Sequence, residues 1–307
     1  VQGLGVDALG VNCSLGPKEL IPIVEEISKW TTVPIVVKAN AGLPDPVTNT
    51  YNVLPDEFAD TCKEMVKYGA KVLGGCCGTT PAYVAKLKEM VATVNASVVK
   101  KKPRQLAVCT PLKTVVVDQP RIVGERINPT GKKRFKQALR DNDMNYILSQ
   151  AIEQIDAGAD ILDVNVGSPD IDEKEMMVKV IKALQAIVDV PLQIDSTKPE
   201  VLEAALRVYN GKPIVNSVNG EEEVLDTILP IVAKYGGAVI GLALDENGIP
   251  PTAEGRVEIA KRIRDKAMSY GIPKEDIIID CLTLTVSAEQ KAAAETLKAM
   301  NLSLIHI

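Results

Sequence analysis

The 307-residue chain carries a formal net charge of −5 with a pI near 5.2, which argues against a nucleic-acid partner because an acidic surface repels a phosphate backbone. No apolar run reaches the roughly 18 residues of a membrane span, and no signal peptide is found, so we expect a cytoplasmic protein that does not enter the membrane. Since His306 is the only histidine, a zinc site built on three histidines and a Ser-His or Cys-His catalytic pair are excluded.

The first part of the chain repeats an apolar strand, a polar strand end and an amphipathic helix. Only 3% of all residues are aromatic, so Val, Ile, Leu and Ala must fill the core, as in buried parallel strands. Strands are predicted at 8–11, 34–39 and 71–74, and helices begin at or near Pro17, Pro55 and Pro81.

A stretch of mixed, Lys- and Pro-bearing sequence then interrupts this rhythm. Residues 97–119 are poorly periodic, which indicates a linker. We therefore expect a first domain at 1–96 and a second domain at 120–307.

The second domain shows six strand–helix steps. Strands are predicted at 121–127, 160–166, 191–195, 213–216, 238–244 and 277–281, and helices around 145–157, 173–188, 199–207, 221–234 and 254–270. Such a series forms either a parallel barrel or a doubly wound sheet. Polar residues recur at the strand ends, where a barrel builds its site, so we prefer the barrel.

The predicted fold class is therefore α/β, with two (β/α)8 barrels of the TIM type. We expect both barrels to be incomplete, with the last three strands of the first and the first six strands of the second. Residues 301–307 depart from the charged, alanine-rich pattern before them, and the fold prediction leaves them out.

Three cysteines lie where strands meet their loops. They are Cys13 and the adjacent pair Cys76 and Cys77. Neighbouring side chains of a strand point to opposite faces, but glycines at 74, 75 and 78 would let both thiols turn toward one ion. Three thiolates leave one tetrahedral position of zinc open, which suits a thiol substrate. For the adjacent pair alone, packing explains the residues equally well. The other cysteines are expected to be packing residues: Cys62, Cys109 and Cys281.

Three runs around these cysteines resemble the homocysteine S-methyltransferase domain. They are Gly-Val-Asn-Cys-Ser at 10–14, Asn-Ala-Gly at 40–42 and Gly-Gly-Cys-Cys-Gly-Thr at 74–79. The resemblance covers residues 1 to about 95. It implies that Cys13, Cys76 and Cys77 bind zinc, and that Asn40 lies beside the metal and occupies its open position when homocysteine is absent.

Carboxylate and amide side chains recur at the strand ends of the second domain. Carboxylates accept hydrogen bonds from N–H donors in pairs, and an amide both donates and accepts, so such a set suits a neutral heterocycle rich in donors better than a phosphate. Taken singly, about half of such residues would cap a helix or form a turn. The candidates are Glu125, Asn128, Asp163, Asn165, Asp195, Asn216 and Asp280.

The runs that contain these residues resemble the pterin-binding domain of the cobalamin-dependent methionine synthase family. They lie at 124–133, 163–167, 194–197 and 216–221. The resemblance implies that five of the candidates line the folate pocket, with Asp163 and Asn165 at the same rim in a less defined role. Dihydropteroate synthase shares parts of the pattern, but no basic run for a pyrophosphate is found here. An Asn-bearing run that contacts the folate N5 is expected beyond residue 307.

The two resemblances together imply one reaction. A methyl group passes from 5-methyltetrahydrofolate to cob(I)alamin, and then from methylcobalamin to zinc-activated homocysteine, giving methionine. The Asp-x-His-x-x-Gly pattern of cobalamin modules is absent, so cobalamin would be held by a further domain or a separate corrinoid protein. Two alternatives stay open: a pterin-dependent methyltransferase acting on a corrinoid protein, and a non-catalytic fragment that binds zinc or folate. No residue is assigned a catalytic role.

Overall fold

The computed structural model describes residues 1–94, 104–284 and 290–306, with the backbone alone at 304–306. The chain forms two compact units, Val1–Arg104 (unit 1) and Gln105–Ile307 (unit 2). Residues 97–103 of the expected linker lie outside the described part of the chain.

Unit 1 is built on a parallel sheet of three strands in the order β1-β2-β3. Its elements are β1 (Leu9–Asn12), α1 (Pro17–Trp30), β2 (Ile35–Ala39), α2 (Pro55–Lys67), β3 (Ala70–Gly75) and α3 (Pro81–Thr93). Each helix begins with proline, whose fixed φ suits a first turn and whose missing N–H is not needed there. Val24, Val37, Phe58 and Met65 form the centre of its core. The three predicted strands and helices are confirmed.

Unit 2 contains a hairpin followed by a parallel sheet of six strands. Its strands are β4 (Ala107–Cys109), β5 (Thr114–Val116), β6 (Val123–Ile127), β7 (Ile161–Val164), β8 (Leu192–Asp195), β9 (Ile214–Val218), β10 (Ala238–Leu242) and β11 (Ile277–Asp280). Its helices are α4 (Lys133–Asp141), α5 (Met144–Asp156), α6 (Glu173–Gln185), α7 (Pro199–Val208), α8 (Glu222–Tyr235), α9 (Ala253–Ser269) and α10 (Gln290–His306).

The strand order of this larger sheet decides between the two predicted architectures. The strands lie side by side in chain order from β6 to β11, and every pairing is parallel. A doubly wound sheet reverses its order at a switch point, whereas a barrel adds each strand next to the last one. The barrel prediction is therefore confirmed, and the carboxyl ends of all six strands share one rim, here called the barrel mouth.

The antiparallel hairpin β4–β5 lies within the stretch that was expected to be linker. Val108 and Val115 are buried and pack with Ile161, Ile214 and Ala238 at the amino ends of the barrel strands. The hairpin therefore covers the end of the sheet opposite to the mouth. Strands of three residues are too short for a periodic pattern to reveal.

Two helices differ from the sequence expectation. Helix α4 was not predicted, because it is rich in charge and buries little beyond Phe135, Ala138 and Leu139. Helix α10 continues through residues 301–306, where the sequence suggested a break. Across the described ranges, no helix combines the length and the apolar character that a membrane crossing requires.

Candidate functional site

The three cysteines singled out in unit 1 come together at the carboxyl end of its sheet. Cys13 follows β1, and Cys76 and Cys77 follow β3. Their Sγ atoms all lie within 4.8 Å of one another, with 3.5 Å between Cys13 and Cys77 and 4.0 Å between Cys76 and Cys77. Zinc–sulfur bonds of about 2.3 Å in a tetrahedron place sulfurs about 3.8 Å apart. The donor set therefore fits a zinc ion.

The backbone around the thiols is held in unusual conformations. Cys13 and Ser14 have φ values of 68° and 63°, which residues with a side chain rarely adopt. Gly78 also has a positive φ of 78°, and a Cβ there would lie 2.2 Å from the ring of Tyr51. The expected need for glycine is thus confirmed at Gly78.

The expectation for the other two glycines of this run was wrong. Gly74 and Gly75 belong to β3 and are not among the glycines with a positive φ, whereas Cys13 and Ser14 do have left-handed backbone angles. Backbone bonds extend the sheet beyond its strands, since Cys76 N donates to Ala39 O at 2.8 Å.

Asn40 lies directly beside the cysteines and is buried. Its Oδ1 accepts a hydrogen bond from Cys77 N at 3.1 Å, and the next residue, Ala41, donates its N–H to Cys77 O at 2.9 Å. The loop after β2 is therefore attached to the loop after β3 on both sides of Cys77. Asn40 thus contacts the residue pair that carries two of the sulfurs, and its position beside a metal and its role as a ligand stay predictions.

The thiols influence one another's ionisation. The N–H of Ser14, followed by the side chains of Cys77 and Cys76, lowers the pKa of Cys13. The pKa of Cys77 is raised, first by its hydrogen bond to Cys13 and then by Cys76, because negative charge accumulates among three sulfurs. Cys62 differs, since burial raises its pKa to about 12 and it is 1% exposed. It is a packing residue, as expected.

In unit 2, carboxylates and amides at the barrel mouth pair with one another. Asn128, which follows β6, donates from Nδ2 to Glu125 Oε1 at 3.1 Å, and Asn165 Nδ2 donates to Asp195 Oδ2 at 3.0 Å between the ends of β7 and β8. Burial, as the largest cause, raises the pKa of Asp195, with Glu125 adding to the effect. Carboxylates from separate strands therefore influence one another across this mouth.

Asp163 is the most deeply buried of these groups, with 1% of its surface exposed. Its Oδ1 accepts hydrogen bonds from Gln193 Nε2 at 2.6 Å and from Asn216 Nδ2 at 3.4 Å. Its Oδ2 is buried and has no hydrogen-bond partner among the described residues. Burial first, and then the charge of Asp195, raise the pKa of Asp163 to about 7. An unpartnered buried carboxylate oxygen is unfavourable and indicates a ligand that donates to it.

Asp280, the last predicted residue, lies at the end of β11 and is exposed. Its Oδ1 accepts from Leu282 N at 2.7 Å, and its backbone oxygen accepts from Ala243 N at 2.9 Å. It lies at the barrel mouth like the other candidates, but it takes no part in the carboxylate–amide hydrogen bonds described for them above.

Gln193 is a site residue that the sequence interpretation missed. It is buried within β8 and makes the shortest hydrogen bond to Asp163 described here, at 2.6 Å. A glutamine inside the otherwise apolar run Pro-Leu-Gln-Ile at 191–194 is the signal that could have revealed it.

Comparison with known proteins agrees with both halves of the chain. The family model described as pterin binding enzyme matches residues 124–303, and the model described as homocysteine S-methyltransferase matches residues 1–91. The pterin match thus includes the first residues of the 301–307 segment that the fold prediction had left out.

Two curated relatives are methionine synthases, from Mycobacterium leprae (strain TN) and Mycobacterium tuberculosis (strain ATCC 25618 / H37Rv). Each is 33% identical over 98% of this chain, and the chain spans 26% of the relative's length. Among solved structures, a dihydropteroate synthase from Xanthomonas albilineans aligns with a TM-score of 0.50 and 19% identity, over 66% of this chain and 74% of that one. At that identity the likeness shows a shared fold alone.

The pterin match covers more than half of the residues, and the methionine synthase likeness extends across both units. The chain belongs to the pterin binding enzyme family, carries in front of that domain a segment that matches the homocysteine S-methyltransferase model, and resembles the methionine synthases across both units.

Proposed function

We propose that this chain supplies two sites for methionine synthesis: a methyl-donor site for 5-methyltetrahydrofolate in unit 2 and a thiol-activating zinc site for homocysteine in unit 1. The observation that carries the proposal is the convergence of the Cys13, Cys76 and Cys77 sulfurs within 4.8 Å, in a segment that matches homocysteine S-methyltransferases. The carboxylate and amide pairs of the barrel mouth support the second half of the proposal.

In unit 1, Cys13, Cys76 and Cys77 would hold the zinc ion, with Asn40 beside it. Zinc supplies a positive charge that lowers the pKa of a bound thiol, so that a nucleophilic thiolate exists at neutral pH. The protein fixes the three sulfurs in advance. The bond from Cys77 N to Asn40 Oδ1 and the left-handed turn at Cys13 determine where two of them point.

In unit 2, the barrel mouth would bind the flat edge of the pterin. The orphaned Oδ2 of Asp163 is suited to accept from a pterin N–H or amine, and the Asp195 carboxylate offers further acceptors. Asn216 and Asn128 are oriented by the carboxylates they contact, so their amides are set before the ligand arrives. The residues thus bind and orient the ring that carries the methyl group.

A methyl carrier must connect the two sites. We include cobalamin in this role, held by another domain or by a separate corrinoid protein, because it supplies a cobalt centre that accepts and releases methyl groups. No residue of the described chain is assigned to it.

Metal analysis and folate titration test the proposal. We expect about one zinc per chain, its loss in Cys77→Ala and its retention in Cys62→Ala, because Cys62 is buried in the core away from the three sulfurs. 5-Methyltetrahydrofolate should bind, and Asp195→Asn should weaken its binding.

These two measurements, together with a methyl-transfer assay, separate the alternatives. A chain that binds folate but no zinc at the cysteines would favour a methyltransferase acting on a corrinoid protein. A chain that binds both, yet transfers no methyl group when cob(I)alamin and homocysteine are supplied, would favour a binding fragment. A chain that binds neither contradicts the proposed function.

A further inference from the structure

Arg256 is a buried charged side chain on α9, beside the turn that follows β11. It is 1% exposed. Its Nε donates to Pro250 O at 3.0 Å, and its Nη1 lies 2.9 Å from Cys281 O, 3.0 Å from Leu282 O and 2.7 Å from Thr296 Oγ1. A fully buried arginine is rare because removing its charge from water is unfavourable. A buried arginine whose N–H groups donate to backbone carbonyls holds those carbonyls in place.

The turn that Arg256 holds is strained. Leu282 has a φ of 58°, in the left-handed region where a side chain costs about 1 kcal/mol or more. Such a conformation persists only where its surroundings impose it. Besides Arg256, the hydroxyl of Thr296 lies 3.0 Å from the same Leu282 carbonyl, so α9 and α10 both fasten this turn.

The turn at 281–282 restrains the side chain of Asp280. Leu282 N–H donates to Asp280 Oδ1 at 2.7 Å, and it belongs to the same planar peptide unit as the Cys281 carbonyl that Arg256 Nη1 contacts at 2.9 Å. The backbone oxygen of Asp280 accepts from Ala243 N at 2.9 Å. Both the backbone and the carboxylate of this exposed aspartate are therefore fixed at the barrel mouth. A carboxylate that is fixed before binding loses little conformational freedom when a ligand arrives.

We propose that Arg256 is a positioning residue for pterin binding, which holds the turn at 281–282 so that Leu282 N–H fixes the Asp280 carboxylate. The proposal rests on the proposed function, together with the sequence expectation that Asp280 lines the folate pocket. Arg256 does not touch the ligand. Lysine cannot replace it, because a single ammonium group cannot span Pro250 O and the carbonyls of the turn at the same time.

Hydrogen exchange tests the first step without any ligand. In Arg256→Lys, the Leu282 amide should exchange about tenfold faster relative to the amides of β10, because its bond to Asp280 is no longer maintained. The control is Lys212→Met, which breaks the 2.5 Å ion pair with Asp276 just before the amino end of β11 and leaves the turn intact. It should not change the relative exchange at Leu282. Equal exchange in Arg256→Lys and the unsubstituted chain would overturn the proposal.

A double-mutant cycle tests the second step. Arg256→Lys should weaken the affinity for 5-methyltetrahydrofolate about tenfold, as expected for one misplaced hydrogen bond to a charged group. In an Asp280→Asn background the same change should weaken affinity less than about twofold. An equal loss in both backgrounds would show that Arg256 acts on the fold in general and would overturn the proposal. If the unsubstituted chain bound no folate, the proposed function would fail, and hydrogen exchange would still decide the role of Arg256.

Discussion

Replacing Asp163 with asparagine should stabilise unit 2 at alkaline pH while weakening its affinity for folate. The carboxylate is almost completely buried, and one of its oxygens lacks a hydrogen-bond partner within the described structure. Burial and the neighbouring Asp195 charge raise its pKa from 3.8 to about 7. Asparagine keeps the shape and the acceptor for Gln193 but carries no charge, so it removes the electrostatic penalty alone.

The magnitude follows from linkage. Between the unfolded and folded pKa values the native state binds more protons than the unfolded state, so the free energy of unfolding falls as pH rises from about 4 to about 7. A pKa difference of about three corresponds to about 4 kcal/mol in total, of which about 3 kcal/mol falls between pH 5 and pH 8. The gain in the free energy of unfolding caused by Asp163→Asn should therefore be larger at pH 8 than at pH 5, by about 3 kcal/mol.

Hydrogen exchange in unit 2 at the two pH values measures this difference, and urea unfolding followed by tryptophan fluorescence serves as the control. Trp30 is the only tryptophan of the chain, so its fluorescence reports unit 1 and should show no effect of the substitution. Hydrogen exchange of β7 and β8 reports unit 2. A stability difference between variant and unsubstituted chain that is the same at pH 5 and pH 8 would refute the reasoning, because Asp163 would then not titrate in this window. Affinity for 5-methyltetrahydrofolate should fall about tenfold.

Further substitutions test the packing within the two units. Gly78→Ala should destabilise unit 1 by about 3 kcal/mol and reduce zinc binding, because the new Cβ would meet the Tyr51 ring. The control is Gly5→Ala, which has a similar φ of 77° but open space around it, and it should destabilise unit 1 by only about 1 kcal/mol. Phe58→Ala should destabilise unit 1 by about 3–5 kcal/mol, measured by urea unfolding followed by Trp30 fluorescence. Val108→Ala should cost unit 2 about 2 kcal/mol in hydrogen exchange, and no loss would show that the hairpin does not support the barrel.

Much of the fold could be predicted because its strands are apolar runs that end in polar residues. The strand ending at Asp195 and the helix starting at Pro199 are examples, since the residue at each boundary, a polar Asp and a helix-starting Pro, indicates where the element ends or begins. The hairpin around Val108 could not be predicted in this way. Its strands are three residues long, and its stability comes from contact with strand ends that are distant in the chain.

The candidate sites were partly predictable for the same reason. Cys13, Cys76 and Cys77 lie at strand ends, and parallel strands bring their carboxyl ends to one edge. The left-handed backbone at Cys13 could not be inferred, because nothing in a cysteine favours that conformation. The unpartnered oxygen of Asp163 was equally hidden, since it results from the combined burial by three strands rather than from its own sequence neighbours.

The central claim is that three cysteine sulfurs hold a zinc ion that takes a thiol substrate. X-ray absorption at the zinc edge tests it most directly on the zinc-loaded chain with and without homocysteine. The account predicts three sulfur neighbours and one lighter atom at zinc without homocysteine, and four sulfur neighbours at about 2.3 Å with it. Fewer than three sulfurs, or a zinc environment that homocysteine leaves unchanged, would contradict the account.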